Sequence, residues 1–453
     1  IIMEKPEEID ISNSYFYTLR EDLDSLRFSA TYAEYDINNL ELKVSGIPFI
    51  IVADAKITPK GGEVLILENS QIGTLEETTI VIDTLNGYHR LYDGRIDIIS
   101  RNEFSGRATY ELINAVSDTF AIKLTNFRLE DFQVDKKTSE QHTVADGYIL
   151  AEDELVISPG MYYKGAVKMI ANKPALELDG FVKLDLKSIP DYDTWIQYAS
   201  SAEQEEVIFD YDQSVTEEGR KLSAGIHFDG ETDELYATFI FDKRDLSDLD
   251  FFKPSGMLSF DAETNEYSIV KREKESGESY QGEMFSYNEN NGDIALEGKM
   301  NFIDNSKSTS IEASGTGSGN LNSSEFLFNT FMMIGFDLPS VLYDLMGQDF
   351  AQIIEELGAP EGLGDRTQLL YKMAEFTGDK AARGYEEKST IDYTPLYMVS
   401  GNLVKPIVFS DINLKWSEDQ KAFYSDGPLG LSHVLRNDVN AAFEGYLEIR
   451  KDQ

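Results

Sequence analysis

The sequence has four histidines, which are its first candidates for chemistry because an imidazole can bind a metal ion or move a proton near neutral pH. They are His89, His142, His227 and His433, and no two of them have the HxH or HExxH spacing of a metal site. This spacing predicts isolated structural or surface histidines. Only His89, in the stretch NGYHRLYDGR, has several polar neighbours, and they indicate a network that stabilises a turn.

The 82 acidic residues offer two further kinds of chemistry, calcium binding and the paired carboxylates of glycoside hydrolysis. The EF-hand pattern is absent, and in so acidic a chain clusters such as DKRDLSDLD (242–250) are expected by chance. The sequence does not place two distant carboxylates together. Calcium binding by acidic loops therefore stays open, and no catalytic pair is assigned to particular residues.

Other catalytic motifs are missing. The stretch SGTGSGN (314–320) lacks the lysine of a phosphate-binding loop and predicts a flexible connection instead. There is no GxSxG motif, and the absence of cysteine excludes thiol nucleophiles and disulfides. We therefore predict a protein that is not an enzyme, with no catalytic residue, cofactor or metal site.

Aromatic residues leave one alternative open. The chain has 24 tyrosines, 26 phenylalanines and two tryptophans, Trp195 and Trp416. Each tryptophan lies in a polar, tyrosine-containing stretch, and an aromatic face can stack on the apolar side of a sugar ring. The alternative to a non-catalytic role is thus a carbohydrate-binding or carbohydrate-cleaving β protein that uses these two residues.

Charge restricts the possible partners. The chain of 453 residues has 40 basic and 82 acidic side chains and a formal net charge of −42, which repels nucleic acid and anionic membrane surfaces. The sequence contains no run of 18 apolar residues, so it predicts no transmembrane helix in this chain. Because the first residue is isoleucine, we expect a processed product or part of a longer protein.

The elements that must position these residues are mainly strands. Segments with period-two alternation follow one another up to about residue 322, separated by turn signals such as Asn86-Gly87 and Asn291-Gly292. This spacing predicts an extended antiparallel hairpin array, with jelly-roll-like or groove-like stacked sheets. The predicted apolar groove or core face comprises Leu40, Leu42, Val44, Leu176, Leu178, Ile294, Leu296 and Met300.

A helical insertion is predicted near residues 324–385, where the alternation stops and apolar residues fall at helical spacing. The predicted segments are an N-terminal β-repeat region (1–190), a second β region (191–322), the helical insertion (323–390) and C-terminal strands (391–453) that complete the β body. The apolar stretch FLFNTFMMIGF (326–336) is assigned to the helical part.

One hairpin pattern recurs: a polar turn, an alternating strand and a glycine, as in YDINNLELKVSGI and YNENNGDIALEGKM. It resembles the repeat of OstA-like proteins of the lipopolysaccharide-transport family, which implies an elongated, groove-like β structure. Stretches such as SPGMYYKGAVKM resemble parts of very large cell-envelope proteins of Bacteroidota-type bacteria. These resemblances imply a location in the periplasm, at the outer membrane or outside a Gram-negative cell.

The function predicted from these features is a non-catalytic scaffold or bridging module of the cell envelope. Its sheets would present strand edges or an apolar groove to an envelope protein or to an amphipathic, lipid-like cargo, since an open strand edge can accept another strand. A role in transport follows from the OstA-like resemblance alone.

Overall fold

The computed structural model describes residues 2–3, 15–18, 24–114, 117–133, 138–201, 209–302 and 308–450. In these residues the chain is mainly β, and every pair of neighbouring strands is antiparallel, as the alternation predicts. Strands β1–β17 are Ile2–Met3, Tyr15–Tyr17, Arg27–Ser29, Tyr32–Asp36, Glu41–Ser45, Ile50–Val52, Ala55–Thr58, Val64–Ile66, Leu75–Ile82, His89–Ser100, Glu103–Ile113, Thr119–Gln133, Ser139–Ile149, Leu155–Ser158, Met161–Ile170, Glu177–Leu184 and Ile196–Ser200. Strands β18–β32 are Phe209–Asp210, Ala224–Phe228, Leu235–Phe239, Leu249–Phe252, Met257–Asp261, Glu266–Val270, Met284–Asn288, Asp293–Met300, Thr309–Asn320, Phe326–Phe336, Ile407–Ser417, Ala422–Ser425, Pro428–Val434, Asn437–Glu444 and Leu447–Arg450. Helices α1–α4 are Arg272–Glu275, Ser340–Leu357, Arg366–Thr377 and Asp379–Ser389.

The chain divides into two compact units. Unit 1 comprises residues 1–185 and 195–207, and unit 2 comprises 186–194 and 208–453. The segment boundaries proposed from the sequence, after residues 190, 322 and 390, stay predictions.

Unit 1 is built on one long meander. Its main sheet has the order β6-β7-β9-β10-β11-β12-β13-β15-β16-β17, and β14 also pairs with β15. On β10 the side chains alternate between buried and exposed, with Leu91, Ile96 and Ile98 on the buried face. One side of the sheet is therefore dry and the other wet, which is the pattern of an antiparallel sheet with one covered face.

Unit 2 is also built on a large antiparallel sheet in which most neighbouring strands follow one another in the chain. Its main sheet runs β18-β22-β23-β24-β25-β26-β27-β28-β29-β32, with β30 paired to β28 and β31 to β30, and a separate small sheet has the order β20-β19-β21. An aromatic cluster joins the two sheets: the ring of Phe251 on β21 lies 5.0 Å from those of Phe302, Phe328 and Phe423. Aromatic packing of this kind fills the space between stacked sheets.

The helical insertion is present, but it begins later than predicted. Residues 326–336 form strand β27, and α2 starts at Ser340 and ends before Gly358, whose φ is +68°. The assignment of FLFNTFMMIGF to a helix is therefore wrong. Its alternation is hidden because the consecutive residues Phe331, Met332 and Met333 are all buried. A strand covered on both faces reads as a continuous apolar run and loses its alternation.

The glycine-rich stretch before it is also a strand. Residues 309–320 form β26, which pairs with β27 along its length, so the predicted flexible connection is wrong. A Cβ atom at Gly317 would lie 2.7 Å from Cδ1 of Phe328, and one at Gly319 would lie 2.5 Å from Cδ1 of Phe326. Glycine is needed in this strand because rings of the neighbouring strand occupy the side-chain space.

Candidate functional site

The predicted apolar face is core in both units. Val44 in unit 1 and Ile294, Leu296 and Met300 in unit 2 are fully buried, as is most of Leu176, while Leu42 and Leu178 are half-buried. Leu40 does not join them: it occupies the turn before β5 with φ of +56° and is 46% exposed. Most of these side chains are therefore core, and Ile294 also lines a cavity of about 550 Å³.

The two tryptophans predicted for sugar stacking are also largely buried. Lys164 and Lys183 lie over the ring of Trp195, with Nζ atoms 4.5 and 5.2 Å from its centre. Trp416 packs against Phe423, with ring centres 4.9 Å apart, and its Nε1 donates to Glu418. Trp416 nevertheless borders a cavity of about 550 Å³ in unit 2.

His227 forms a polar network that the sequence does not reveal. Its Nδ1 lies 2.8 Å from Asp250, and its Nε2 lies 2.8 Å from the Thr238 hydroxyl and 3.4 Å from that of Ser223. This order of carboxylate, imidazole and hydroxyl is that of a catalytic triad. His227 and Thr238 are sealed from solvent, however, at no more than 1% exposed. The arrangement joins β19, β20 and β21, one residue from each strand, and so supports the small sheet.

Burial sets the protonation of this network. It lowers the pKa of His227, and the hydrogen bond with Asp250 opposes that effect only in part. For Asp250, burial raises the pKa, but the hydrogen bonds from His227 and Lys243 outweigh it and bring the pKa to about 2. The pair therefore consists of a neutral imidazole and a carboxylate at neutral pH.

A buried lysine is a second residue that sequence reasoning missed. Lys372 on α3 is 3% exposed; its Nζ lies 3.2 Å from Oδ1 of Asp411 on β28 and also donates to Oδ1 of Asn329 on β27. Burial lowers its pKa, against the attraction of Asp411. A buried lysine can be a nucleophile. Here its ammonium group is held by two strands, so its contacts fix α3 on the sheet.

The described residues also answer two questions about binding. No group of three or more histidine, aspartate or glutamate side chains among them could hold a metal ion. No helix in the same part of the chain has both the length and the apolar character that crossing a membrane requires.

Helix α2 packs one face on the sheet and exposes further apolar side chains to solvent. Its inner face carries Tyr343, Met346, Phe350 and Ile354, which pack into a cluster with residues of β30 and β31 such as Leu431 and Ala441. Outside this face, the exposed apolar residues of the first two turns are Val341, Leu342 and Leu345. The rest of the outer side is polar and exposed, as at Gln348, Gln352 and Glu355. A surface helix usually carries polar residues outside its one apolar stripe, so these three exposed apolar side chains call for an explanation.

We call the exposed apolar surface around the start of α2 the apolar patch. Its members come from the end of β27, the following turn and the first two turns of α2, and each is between 47% and 59% exposed: Phe336, Leu338, Val341, Leu342 and Leu345. Asp349, Ile353 and Glu356 continue the same side of the helix at helical spacing. Contiguous exposed apolar side chains of this kind mark interaction surfaces more often than isolated ones do.

The charged residues of helix α2 all have one sign. Helix α2 contains Asp344, Asp349, Glu355 and Glu356 and no lysine or arginine. Tyr343 anchors the start of the helix, because its hydroxyl bonds both the N–H and the carbonyl of Phe336 at 2.8 Å. The surface is therefore a fixed, apolar and acidic one.

Comparisons with protein-family models, curated proteins and solved structures found no match for this chain.

Proposed function

We propose that this chain is a non-catalytic scaffold or bridging module whose apolar patch binds a protein partner. The observation that carries the proposal is the apolar patch itself, whose side chains at the end of β27 and the start of α2 are left exposed in the described residues. Burying the remaining half of each side chain in the patch would contribute roughly 1 kcal/mol per residue. Five such residues can support a weak interface once the cost of association is met.

The partner proposed is an amphipathic segment that carries basic residues beside its apolar face. The acidic side chains of α2, which lacks any basic residue, favour such a segment and disfavour an acidic one. A helix laid along an apolar face is a common mode of peptide recognition. The location in the envelope of a Gram-negative bacterium rests on the OstA-like resemblance of the sequence and is part of the proposal.

The test uses an 18-residue helical peptide of leucine and lysine and its leucine–glutamate counterpart, titrated into the protein by calorimetry. We expect the basic peptide to bind and the acidic one not to bind. The double variant Leu342→Asp, Leu345→Asp should weaken binding at least tenfold. The matched control is Leu246→Asp, because Leu246 is 89% exposed in unit 2 and lies outside the patch.

Three outcomes would overturn the proposal: no binding of the basic peptide, equal binding of both peptides, or equal binding by the double variant. Vesicles of zwitterionic lipid provide a further arm. If they bind through the patch and the basic peptide does not, the occupant is an amphipathic lipid-like cargo and the protein-partner proposal is wrong.

Carbohydrate binding remains a second candidate function because of one observation. The cavity of about 550 Å³ that borders Trp416 is also lined by Tyr424, Asp293, Asn320 and Lys415, a mixture of an aromatic face with hydrogen-bonding groups. Binding on a glycan array that is lost in Tyr424→Ala and Lys415→Ala, and kept in Leu246→Asp, would support it. If no sugar on the array binds the protein, carbohydrate binding is excluded as a candidate function.

A further inference from the structure

Unit 2 contains a basic cavity of about 390 Å³ beside helix α4, and none of the residues that line it belongs to the apolar patch. One wall is a face of α4, and the other is the segment 394–399 that follows this helix in the chain. The lining contains two lysines and no acidic residue, although the chain has twice as many acidic as basic side chains. The charge of this cavity is therefore opposite to that of the protein as a whole.

Helical spacing places the two lysines on one side of α4. Lys380, Gly384 and Lys388 are four residues apart, so they follow one another along the wall of the cavity. At a rise of 1.5 Å per residue, the Cα atoms of the two lysines are about 12 Å apart. Because a lysine side chain is long and flexible, both ammonium groups can contact a ligand placed beside Gly384.

The chain itself does not neutralise these two lysines. Neither ammonium group forms an ion pair or a hydrogen bond with another of the described residues. Within α4, the positions three and four residues from each lysine carry no carboxylate. The helix carboxylates Asp379 and Glu386 instead accept hydrogen bonds from Tyr280, at 2.6 and 2.8 Å, outside the cavity. Two unpaired ammonium groups at one cavity favour an anion.

The space between the lysines is open, and part of its lining is apolar. Ala381, Met398 and Val399 line it, and Met398 is 66% exposed. A Cβ atom at Gly384 would meet nothing within 4 Å, so no neighbouring group requires a glycine there. Glycine destabilises the interior of a helix relative to alanine. Here it leaves open a space that a larger side chain would fill.

We infer that this cavity binds a small amphipathic anion, a carboxylate on a short apolar chain. The carboxylate would accept charge-assisted hydrogen bonds from Lys380 and Lys388, and the chain would pack against Met398 and Val399. A volume of about 390 Å³ is at the small end of the range for ligand pockets, so it suits one short chain rather than a lipid with two long ones. The inference concerns a second ligand of unit 2 and does not depend on the apolar patch.

The test is calorimetry with octanoate, titrated into the full chain at neutral pH. We expect saturable binding at one equivalent that weakens as salt is added, because salt screens the lysines. Acetate has the charge without the chain, and octylammonium has the chain with the opposite charge. Both should bind at least tenfold more weakly than octanoate.

Substitutions at the helix wall test the location. Gly384→Leu should abolish binding because its side chain fills the space between the lysines, whereas Gly384→Ala adds a single carbon and should still bind octanoate. Both substitutions favour a helix, so both variants should fold. The double variant Lys380→Gln, Lys388→Gln should bind at least tenfold more weakly. Its control is Lys253→Gln, because Lys253 is exposed in unit 2 outside the cavity.

Four outcomes would overturn the inference: binding that does not saturate, equal binding of octylammonium or of inorganic phosphate, parent-like binding by Gly384→Leu, and equal binding by the double lysine variant and Lys253→Gln. The double variant Leu342→Asp, Leu345→Asp separates this cavity from the apolar patch. It should bind octanoate as the parent does. If it loses octanoate while Gly384→Leu retains it, the ligand occupies the patch and the inference is wrong.

Discussion

His227 and Asp250 lie 2.8 Å apart, from Nδ1 to Oδ1, and link the central strand β19 to its neighbour β21. Lys243 approaches the same carboxylate oxygen at 2.5 Å, so Asp250 holds both a buried imidazole and a nearby ammonium group. The negative charge of this one residue stabilises the small sheet of unit 2.

Asp250→Asn should therefore lower the free energy of unfolding by about 1–3 kcal/mol, because Lys243 loses its charged partner and His227 its strong acceptor. Urea denaturation at pH 7 measures the change. Asp419→Asn is the control, because Asp419 lies in an exposed turn. If both variants unfold at the same urea concentration, the ion pair does not stabilise the sheet.

The stability of the protein should fall on mild acidification because of His433. This histidine is fully buried; its Nε2 lies 2.8 Å from the carbonyl of Leu403, and burial lowers its pKa from 6.5 to about 4. Between these two pH values the unfolded chain binds a proton that the folded chain does not, so the free energy of unfolding falls as the pH falls. The contribution of His433 is about 3 kcal/mol.

Urea denaturation of the parent and of His433→Gln at pH 7 and pH 4.5 checks this expectation. The glutamine variant should lose less stability between the two pH values than the parent does. Equal losses would mean that His433 does not titrate with the lowered pKa. His89 and His227 have pKa values shifted in the same direction and should leave part of the pH dependence in both proteins.

Leu296→Asp should unfold unit 2, because Leu296 is buried on β25 and the substitution places an unpaired carboxylate in the core. Leu327→Asp is the matched control, since Leu327 belongs to the same sheet but is half-exposed. Circular dichroism during thermal unfolding should show a large loss for the first variant and a small one for the second. A parent-like melt for Leu296→Asp would contradict the placement of the buried face.

Gly317→Ala should destabilise unit 2 by about 1–3 kcal/mol, because its Cβ atom would press on Phe328 and on Cγ of Leu296, 3.0 Å away. Gly401→Ala is the control, because a Cβ atom there meets nothing within 4 Å. Chemical denaturation compares the two variants with the parent. A neutral effect of Gly317→Ala would show that the rings move aside at little cost.

Alternation predicted the fold class and much of the buried face, since a strand covered on one side buries every second residue. It failed for β27, where both sides are covered, and for β26, whose glycines make room for rings that come from another strand. Both errors have the same cause, because the deciding contacts are between strands and not along one. Leu40 shows a local limit of the same method: a turn residue can continue a strand pattern in the sequence without belonging to the strand.

The sequence pattern did not predict the residues of the candidate sites. Leu342 and Leu345 stand at the same helical spacing as the inner residues of α2, and only the packing of Tyr343 and Phe350 on the sheet shows which stripe is buried. Lys372 looks like an ordinary surface residue of a helix until strands β27 and β28 cover it.

By itself the sequence determined an acidic chain of antiparallel strands, interrupted by helices and without a recognisable catalytic motif, because composition and periodicity are local properties. Tertiary structure alone decided which apolar side chains of α2 stay exposed, which lysine is buried and which histidine meets an aspartate. These relationships join residues up to about a hundred positions apart, and the pattern along the chain does not record distances across it.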